Sequence, residues 1–504
     1  MRQLTSLDAE FLALEDARTV GHVAGLAVYE PGNELTADRV RGLVAERLHL
    51  LPPFRWRLAP VPLGVDNPYW IEDPDFDLEF HVRDLALPSP GDDRQLADQV
   101  ARIASRPLDR ARPLWELYVI HGLAGDRTAM LTKMHHAAVD GMSGAEVMSV
   151  LLDPTPEGRD CGTAPDRRPD RMPSQLEMLG RGLLGLPRQP LRALATVPQA
   201  LAHLPHLPVV GDLPGAGLVG RATRLLRRGG DGELLERPKA RAPRTRFNGR
   251  ISAHRRLAFG SLSLTEVKAI KAAFGVTVND VVVALCATAL RNWLLRREEL
   301  PEECLVAMVP VSVRTESERG DFGNRVSALF VPIPTAYADP LERLERAHEI
   351  MRTAKTHHQA LPATLLQDMT HFVPPALAAR AARVTLQLTT SPVVRPLVNC
   401  VISNVPGPRE PLYCAGARLC ANYPVSVITN GAGLNITVLS YRDSMDFGIV
   451  CDREQMQDPW ELMDDLRAAL DEYRELTSPP RRARFTRDAA DQPRSSTNVP
   501  DASA

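Results

Sequence analysis

The chain has 504 residues, 44% of them hydrophobic and 24% charged, which suits two substantial globular units better than one small core. Sixty basic against 62 acidic side chains leave a formal net charge of -2. No global field exists to draw in nucleic acid or an acidic polymer, so any charged site must be local.

Seven cysteines are scattered along the chain, with no C-x-x-C pair and no zinc-ligand spacing, which reads as reduced thiols in a cytoplasmic protein. The N-terminal run MRQLTSLDAEFLALED places acids where a signal peptide would need an apolar core. No run approaches the roughly 20 apolar residues of a membrane span. The expectation is a protein that is neither secreted by that route nor threaded through a bilayer.

Residues 1–152 read as an α/β unit, with alternation in FDLEFHVRDLAL (76–87) predicting a half-buried strand. LWELYVIHGL (114–123) and TAMLTKMHH (128–136) are strand-like runs separated by the turn composition AGDR, so they predict a hairpin or adjacent strands. Ser143 and Glu146 have the spacing of a capping box opening a helix through AEVMSVLLD. HHAAVDG (135–141) is therefore a short loop between a strand end and a helix start, a common place for functional groups. Successive strand side chains point to opposite faces, so one of His135 and His136 is expected to work and the other to pack.

Residues 153–247 hold thirteen prolines and many arginines and read as a crossover or insertion. Folded texture returns over 248–477. Residues 478–504 carry too few apolar side chains to fold and are expected to be a disordered tail. The two folded parts show no sequence repeat.

The histidine loop admits three readings. Its imidazoles can simply satisfy neighbouring backbone groups, with Asp140 serving a turn and Gly141 permitting positive φ. A metal site would lack third and fourth ligands, so none is expected. In acid–base catalysis a neutral imidazole takes a proton from an attacking hydroxyl, for which its ordinary pKa of roughly 6.5 is suited. The loop alone does not choose between the first and the third. A second pair, His357 and His358, lacks the Asp-Gly that follows the first and sits in a charged helical pattern, which predicts a solvated helix face.

HHAAVDG resembles the HHxxxDG motif of CoA-dependent acyltransferases and peptide-condensation domains. Around it, LTSLDAEFLALED (4–16), RPLWELYVI (112–120), TVNDVVVALCATALRNWL (277–294), MVPVSVR (308–314), NCVISNVPGPREPLYCAGARL (399–419) and GLNITVLSYRDSMDFGIVCD (433–452) are similar, in order, to the bacterial wax ester synthase/diacylglycerol acyltransferase family, in its actinobacterial form. The resemblance implies an α/β (α+β) fold of two chloramphenicol-acetyltransferase-like subdomains in one chain, with an active-site channel between them.

It also implies that His136 is the general base, His135 a supporting motif residue, and Asp140 structural, paired with an arginine for which Arg314 is the candidate. Gly141 completes the motif. Asn279 and Asp280 match an ND motif tied to substrate binding, although Asn279 also stands where a helix N-cap would. Trp115 of the PLW motif reads as packing, and SNVPGP (403–408) as a bent strand or loop bridging the subdomains.

The implied reaction is direct transfer from acyl-CoA, a substrate rather than a cofactor, to diacylglycerol or a long-chain alcohol. Alternatives are another lipid or polyketide alcohol, or a non-catalytic lipid-binding paralogue. Arg181, Arg188, Arg192, Arg221, Arg224, Arg227 and Arg228, interleaved with leucines, suggest peripheral contact with an anionic membrane or lipid droplet from the cytoplasmic side.

Overall fold

The computed structural model describes residues 1–32, 35–138, 144–162, 171, 173–185, 242–312, 326–359, 390 and 395–477. The chain begins with β1 (Arg2–Gln3) and α1 (Ser6–Leu14), whose N-cap Thr5 accepts the Asp8 amide through its hydroxyl at 3.2 Å. There follow β2 (His22–Tyr29), α2 (Ala37–Arg47), β3 (Trp56–Ala59), β4 (Tyr69–Glu72), α3 (Leu78–His81) and β5 (Val82–Ala86). The strand expected over 76–87 is thus only its second half. Asp77 accepts the Glu79 amide at 3.0 Å and turns the first half into one helical turn.

α4 (Asp93–Ala104) starts at a full capping box between Asp92 and Gln95 and buries one stripe, including Leu96, Val100 and Ile103. β6 (Trp115–Leu123) and β7 (Arg127–His135) form the expected antiparallel hairpin, closed by Gly125 and Asp126, both at positive φ. α5 (Gly144–Leu151) follows the histidine loop, and α6 (Gln175–Gly185) lies in the arginine-rich segment.

The second half runs β8 (Arg255–Ser263), α7 (Leu264–Phe274), α8 (Val278–Leu295), β9 (Leu305–Ser312), β10 (Val326–Ile333), α9 (Pro340–Gln359), β11 (Cys400–Val405), β12 (Tyr413–Cys414), β13 (Ala417–Val425), β14 (Leu434–Tyr441), β15 (Ser444–Asp452) and α10 (Trp460–Leu476). Among the described residues α8 alone is long and apolar enough to cross a membrane, and it is buried as the central helix of the second core.

One six-stranded mixed sheet has the order β10-β9-β11-β14-β15-β8, and a second has the order β12-β13-β2-β7-β6-β5. Sequence order and sheet membership therefore part company. β12 and β13, inside the 248–477 unit drawn from composition, belong to the sheet of residues 1–152. β13 pairs antiparallel with β2, from Leu419 opposite Tyr29 to Val425 opposite Ala24, and covers what would be an open strand edge. The SNVPGP segment makes this possible: β11 runs parallel to β14 as far as Val405, and the Pro-Gly-Pro turn then carries the chain from one sheet to the other. Where β13 crosses β15, a Cβ on Gly448 would sit 1.7 Å from the Pro424 carbonyl oxygen, so only glycine permits the approach.

The halves share a core. Leu26, Val28, Leu96 and Val100 of the first pack with Leu257, Phe259 and Val450 of the second. α4 lies between the first sheet and β8 and forms the middle of this seam.

Candidate active site

β7 alternates as a two-sided strand should. Ala129 and Leu131 join the core beneath α4, whereas Met130 and Met134 join the core on the other face, with Val40 and Val44 of α2 and Trp115. Lys133 and His135 continue the α4 face and are both buried. The Lys133 ammonium donates to the carbonyls of Ile103 (3.1 Å) and Arg106 (2.6 Å) at the end of α4, and lies 3.4 Å from Glu116. Burial lowers its pKa, partly offset by Glu116. His22, opposite His135 across the β2–β7 ladder, donates to the Ala104 carbonyl at 2.8 Å. Two buried side chains thus satisfy the carbonyls at the α4 C-terminus from below.

His135 is the last residue of β7 and only 1% exposed. Its amide donates to the Leu114 carbonyl at 2.9 Å, so the PLW segment fixes its backbone. Its Nδ1 accepts the Ala137 amide at 3.0 Å, which leaves the ring proton on Nε2. Nε2 lies 3.1 Å from Glu15 Oε1, a close contact with the carboxylate but not a well-aligned hydrogen bond. Glu15 accepts the Gly21 amide at 2.7 Å and an Arg110 guanidinium N–H at 2.6 Å. Burial pushes the Glu15 carboxyl up, but His135, Arg110 and the Gly21 amide outweigh it and hold the pKa at about 2.

His136 lies one residue past the strand, in the turn, and is half-buried. Its amide donates to the Gly21 carbonyl at 2.8 Å. Its ring stacks on Phe11 of α1, with centroids 4.1 Å apart and 19° between planes. The adjacent histidines therefore occupy different environments, one packed and one facing outward from the strand end. Two adjoining recesses share Pro53 and Ala138, the latter two residues past His136. One is lined by Arg2, Gln3, Leu4, Trp56 and Trp70, the other by Phe54, Leu114, Trp115, Met134 and Val147.

Trp115 is buried, donates its indole N–H to the Phe54 carbonyl at 2.8 Å and stacks on Phe54 and His81. Asn279 is not the N-cap of α8. Thr277 is, in a reciprocal capping box with Asp280. Asp280 is buried and also meets His348 Nδ1 at 2.8 Å. The Asn279 side chain is left to reach β11, accepting from Asn404 at 3.4 Å.

Asp140, Gly141, Ser143 and Arg314 lie outside the described residues, as do the tail 478–504 and six of the seven crossover arginines, Arg181 excepted. His357 and His358 fall in α9, with side chains outside the description. Among the described residues no group of three or more His, Cys, Asp or Glu side chains gathers in a way that would hold a metal ion. Sequence reasoning missed Glu15, Phe11, Gly21 and Arg110. The N-terminal run that holds Phe11 and Glu15 carried a signal as a mismatch with a leader peptide and as a family-like block, neither of which points to a partner of His135.

By fold the chain is a two-sheet protein of the condensation-domain type. It matches the first condensation domain of the CDA synthetase over 95% of this chain and 97% of that one, with a TM-score of 0.51 at 16% identity. A wax ester synthase/diacylglycerol acyltransferase from Marinobacter aquaeolei VT8 matches with a TM-score of 0.64 and 29% identity, over 94% of this chain and 99% of the other. Residues 4–282 match the profile of the wax ester synthase/diacylglycerol acyltransferase catalytic domain, and residues 322–474 that of the family's C-terminal domain. A Mycobacterium tuberculosis (strain CDC 1551) protein with the provisional name diacylglycerol O-acyltransferase is 36% identical over 487 residues, 95% of this chain and 91% of the relative. The chain belongs to the wax ester synthase/diacylglycerol acyltransferase family. It is an O-acyltransferase.

Proposed function

We propose that this chain transfers the acyl group of an acyl-CoA directly to the hydroxyl of a lipid alcohol, diacylglycerol or a long-chain alcohol, with His136 as general base. One observation carries the reading: of two adjacent histidines, His135 is packed at the end of β7 against Glu15 and the Ala137 amide, while His136 stands half-buried in the turn, stacked on Phe11 and two residues before Ala138, which lines two recesses of largely apolar residues. The His136 ring takes the hydroxyl proton as the alcohol oxygen attacks the thioester carbonyl. The resulting imidazolium returns the proton to the departing CoA sulfur, so the ester and free CoA are the only products. The groups invoked for this step are all side chains of the protein, and acyl-CoA enters as a substrate. Asp140 and Gly141 are assigned to shaping the loop, and Asn279 and Asp280 to the facing subdomain's contribution to substrate binding.

The protein is placed in the cytoplasm, in peripheral contact with a membrane or droplet surface that supplies its acceptor. Support comes from the start of the basic segment. α6 lies against the turn Pro62–Gly64, and Leu63 and Leu176 on these neighbours are 86% and 81% exposed. Arg181 lies on the same helix, half-exposed and ion-paired with Glu177 at 3.0 Å. Large apolar side chains beside a basic one, on a surface facing water, suit an anionic lipid interface.

The test is incubation of purified protein with labelled palmitoyl-CoA and a panel of alcohols, followed by separation of the neutral lipids. Labelled triacylglycerol or wax ester is expected, with no label on the protein when the alcohol is omitted. A stoichiometric acyl-enzyme would overturn direct transfer.

A further inference from the structure

We infer that Glu15 is a positioning residue for the histidine pair, acting through His135 and Gly21 to set where the His136 ring stands; this rests on the reading of His136 as the base. Three contacts converge on its carboxylate. Oε1 accepts the Gly21 amide at 2.7 Å and lies 3.1 Å from His135 Nε2, while Oε2 accepts from Arg110 at 2.6 Å. Gly21 then passes the constraint on, because its carbonyl accepts the His136 amide at 2.8 Å. The peptides on either side of Gly21 are thereby pinned by Glu15 at the N–H end and by His136 at the carbonyl end.

His135 passes it on by a second route. Its ring is clamped between Glu15 at Nε2 and the Ala137 amide at Nδ1, which draws the chain into the turn that carries His136. The space is closed. A Cβ on Gly21 would sit 2.9 Å from His135 Nε2 and 3.3 Å from Glu15 Oε1, so nothing but glycine leaves room for the contact.

Glu15 is the residue immediately after α1, and Phe11, one turn earlier on that helix, supplies the ring on which His136 stacks. The same helix end therefore sets both the backbone and the ring plane of His136. The arrangement is also held across the two halves. Arg255 of β8 donates to the Arg18 carbonyl in the loop between Glu15 and Gly21, and its own amide bonds Ser105 Oγ at the end of α4 at 3.2 Å. Arg110 steadies the other side, donating to both Leu12 O and Glu15. A carboxylate held on three sides, with its side chain only 9% exposed, is ordered before substrate arrives, which is what a base that must meet a hydroxyl within hydrogen-bond reach requires.

The experiment is a double-mutant cycle on kcat in the full chain, with Glu15→Gln, His135→Ala and the pair, alongside His136→Ala. Glu15→Gln keeps shape and an acceptor for the Gly21 amide but removes the charge. The expected result is a kcat loss of about 10- to 100-fold, the scale of an angstrom-level misplacement, with KM for acyl-CoA within about twofold. The loss should be no larger on the His135→Ala background than His135→Ala produces alone. Wild-type kcat in Glu15→Gln, or losses that multiply fully in the double variant, would overturn the inference. Should Glu15→Gln not fold, Arg110→Gln decides in its place. It removes Glu15's partner from the half-exposed side and should lower kcat about 3- to 10-fold at unchanged KM, a smaller angular error on the same scale; wild-type kcat would overturn it. A fully active His136→Ala would overturn the base assignment, and is distinguishable because it is read independently of Glu15.

Discussion

Phe11 and His136 lie ring against ring, their centroids 4.1 Å apart and their planes 19° from parallel. The stack fixes the plane of the imidazole proposed to take the hydroxyl proton and return it to the departing sulfur. Phe11→Ala should release that plane. A stack of this kind contributes about 0.5–1.5 kcal/mol, so kcat is expected to fall about 3- to 10-fold, with Phe11→Tyr close to wild type. Steady-state kinetics on the two variants checks it; equal loss in both would point to a packing defect.

The two histidines should separate cleanly on substitution. His136→Ala is expected to lose roughly 10²- to 10⁴-fold in turnover, the usual worth of a general base, while remaining folded. His135→Ala should stay folded and keep measurable activity, but melt lower, because a cavity opens where the buried His135 ring meets Glu15. The outcome that sinks the assignment is the reverse order, with His135 the costlier loss to turnover.

Gly21→Ala tests the closeness of the site directly. The added methyl would lie 2.9 Å from His135 Nε2, and the nearest groups are a clamped ring and a coordinated carboxylate rather than flexible chain ends. Overpacking of this kind costs about 1–3 kcal/mol. Chemical denaturation should show that loss, and turnover should fall further than the loss of folded protein explains.

The hairpin, the histidine loop at its exit and the helix after it were legible because each rests on local chemistry: β-branched runs, the turn residues AGDR and strand alternation. Unlike environments for His135 and His136 are what strand alternation led one to expect, and the structure has them for a different reason: β7 ends at His135, and His136 stands in the turn beyond it. What stayed hidden is non-local. Glu15 is about 120 residues from His135 in sequence, and nothing in its neighbours marks it as buried. The transfer of β12 and β13 to the first sheet escaped for the same reason, since strand pairing over nearly 400 residues leaves no periodicity to read. The cap position that Asn279 also offered belongs to Thr277, two residues earlier, and its box with Asp280 settles the competition.

Acid should loosen the fold at a definite place. Burial, together with the nearby Lys133 charge, drives the His22 pKa down to about 3 from an ordinary 6.5. The neutral ring is the folded form. Below pH 6.5 the unfolded chain takes up a proton that the folded chain refuses, so stability falls as pH drops, until the folded ring itself protonates near 3. The full slope for one proton is about 1.4 kcal/mol per pH unit. His22→Gln retains a donor for the Ala104 carbonyl but cannot titrate. Urea midpoints between pH 6 and 4 should therefore fall less steeply for the variant than for wild type; parallel curves would remove His22 from the account.

The last prediction concerns the lipid surface. Leu63 is held at a φ of 61°, a conformation leucine seldom adopts, with its side chain 86% exposed. Leu176, on the helix packed beside that turn, is 81% exposed, and Arg181 lies little more than one helical turn further along. If these residues enter a bilayer, Leu63→Ser with Leu176→Ser should release the protein from vesicles of phosphatidylcholine and phosphatidylglycerol at any salt. Arg181→Gln should instead weaken binding at low salt only, since a basic side chain contributes about 1 kcal/mol at an anionic surface and screening removes it. Transfer to a detergent-dispersed alcohol should be nearly unchanged in both, because neither touches the His136 neighbourhood. Sedimentation of the double leucine variant with vesicles at wild-type levels would exclude this surface as the anchor. A fall in activity on dispersed and bilayer acceptors alike would mean that the turn and α6 support the recesses near the histidine loop, one of which Trp70 of β4 lines.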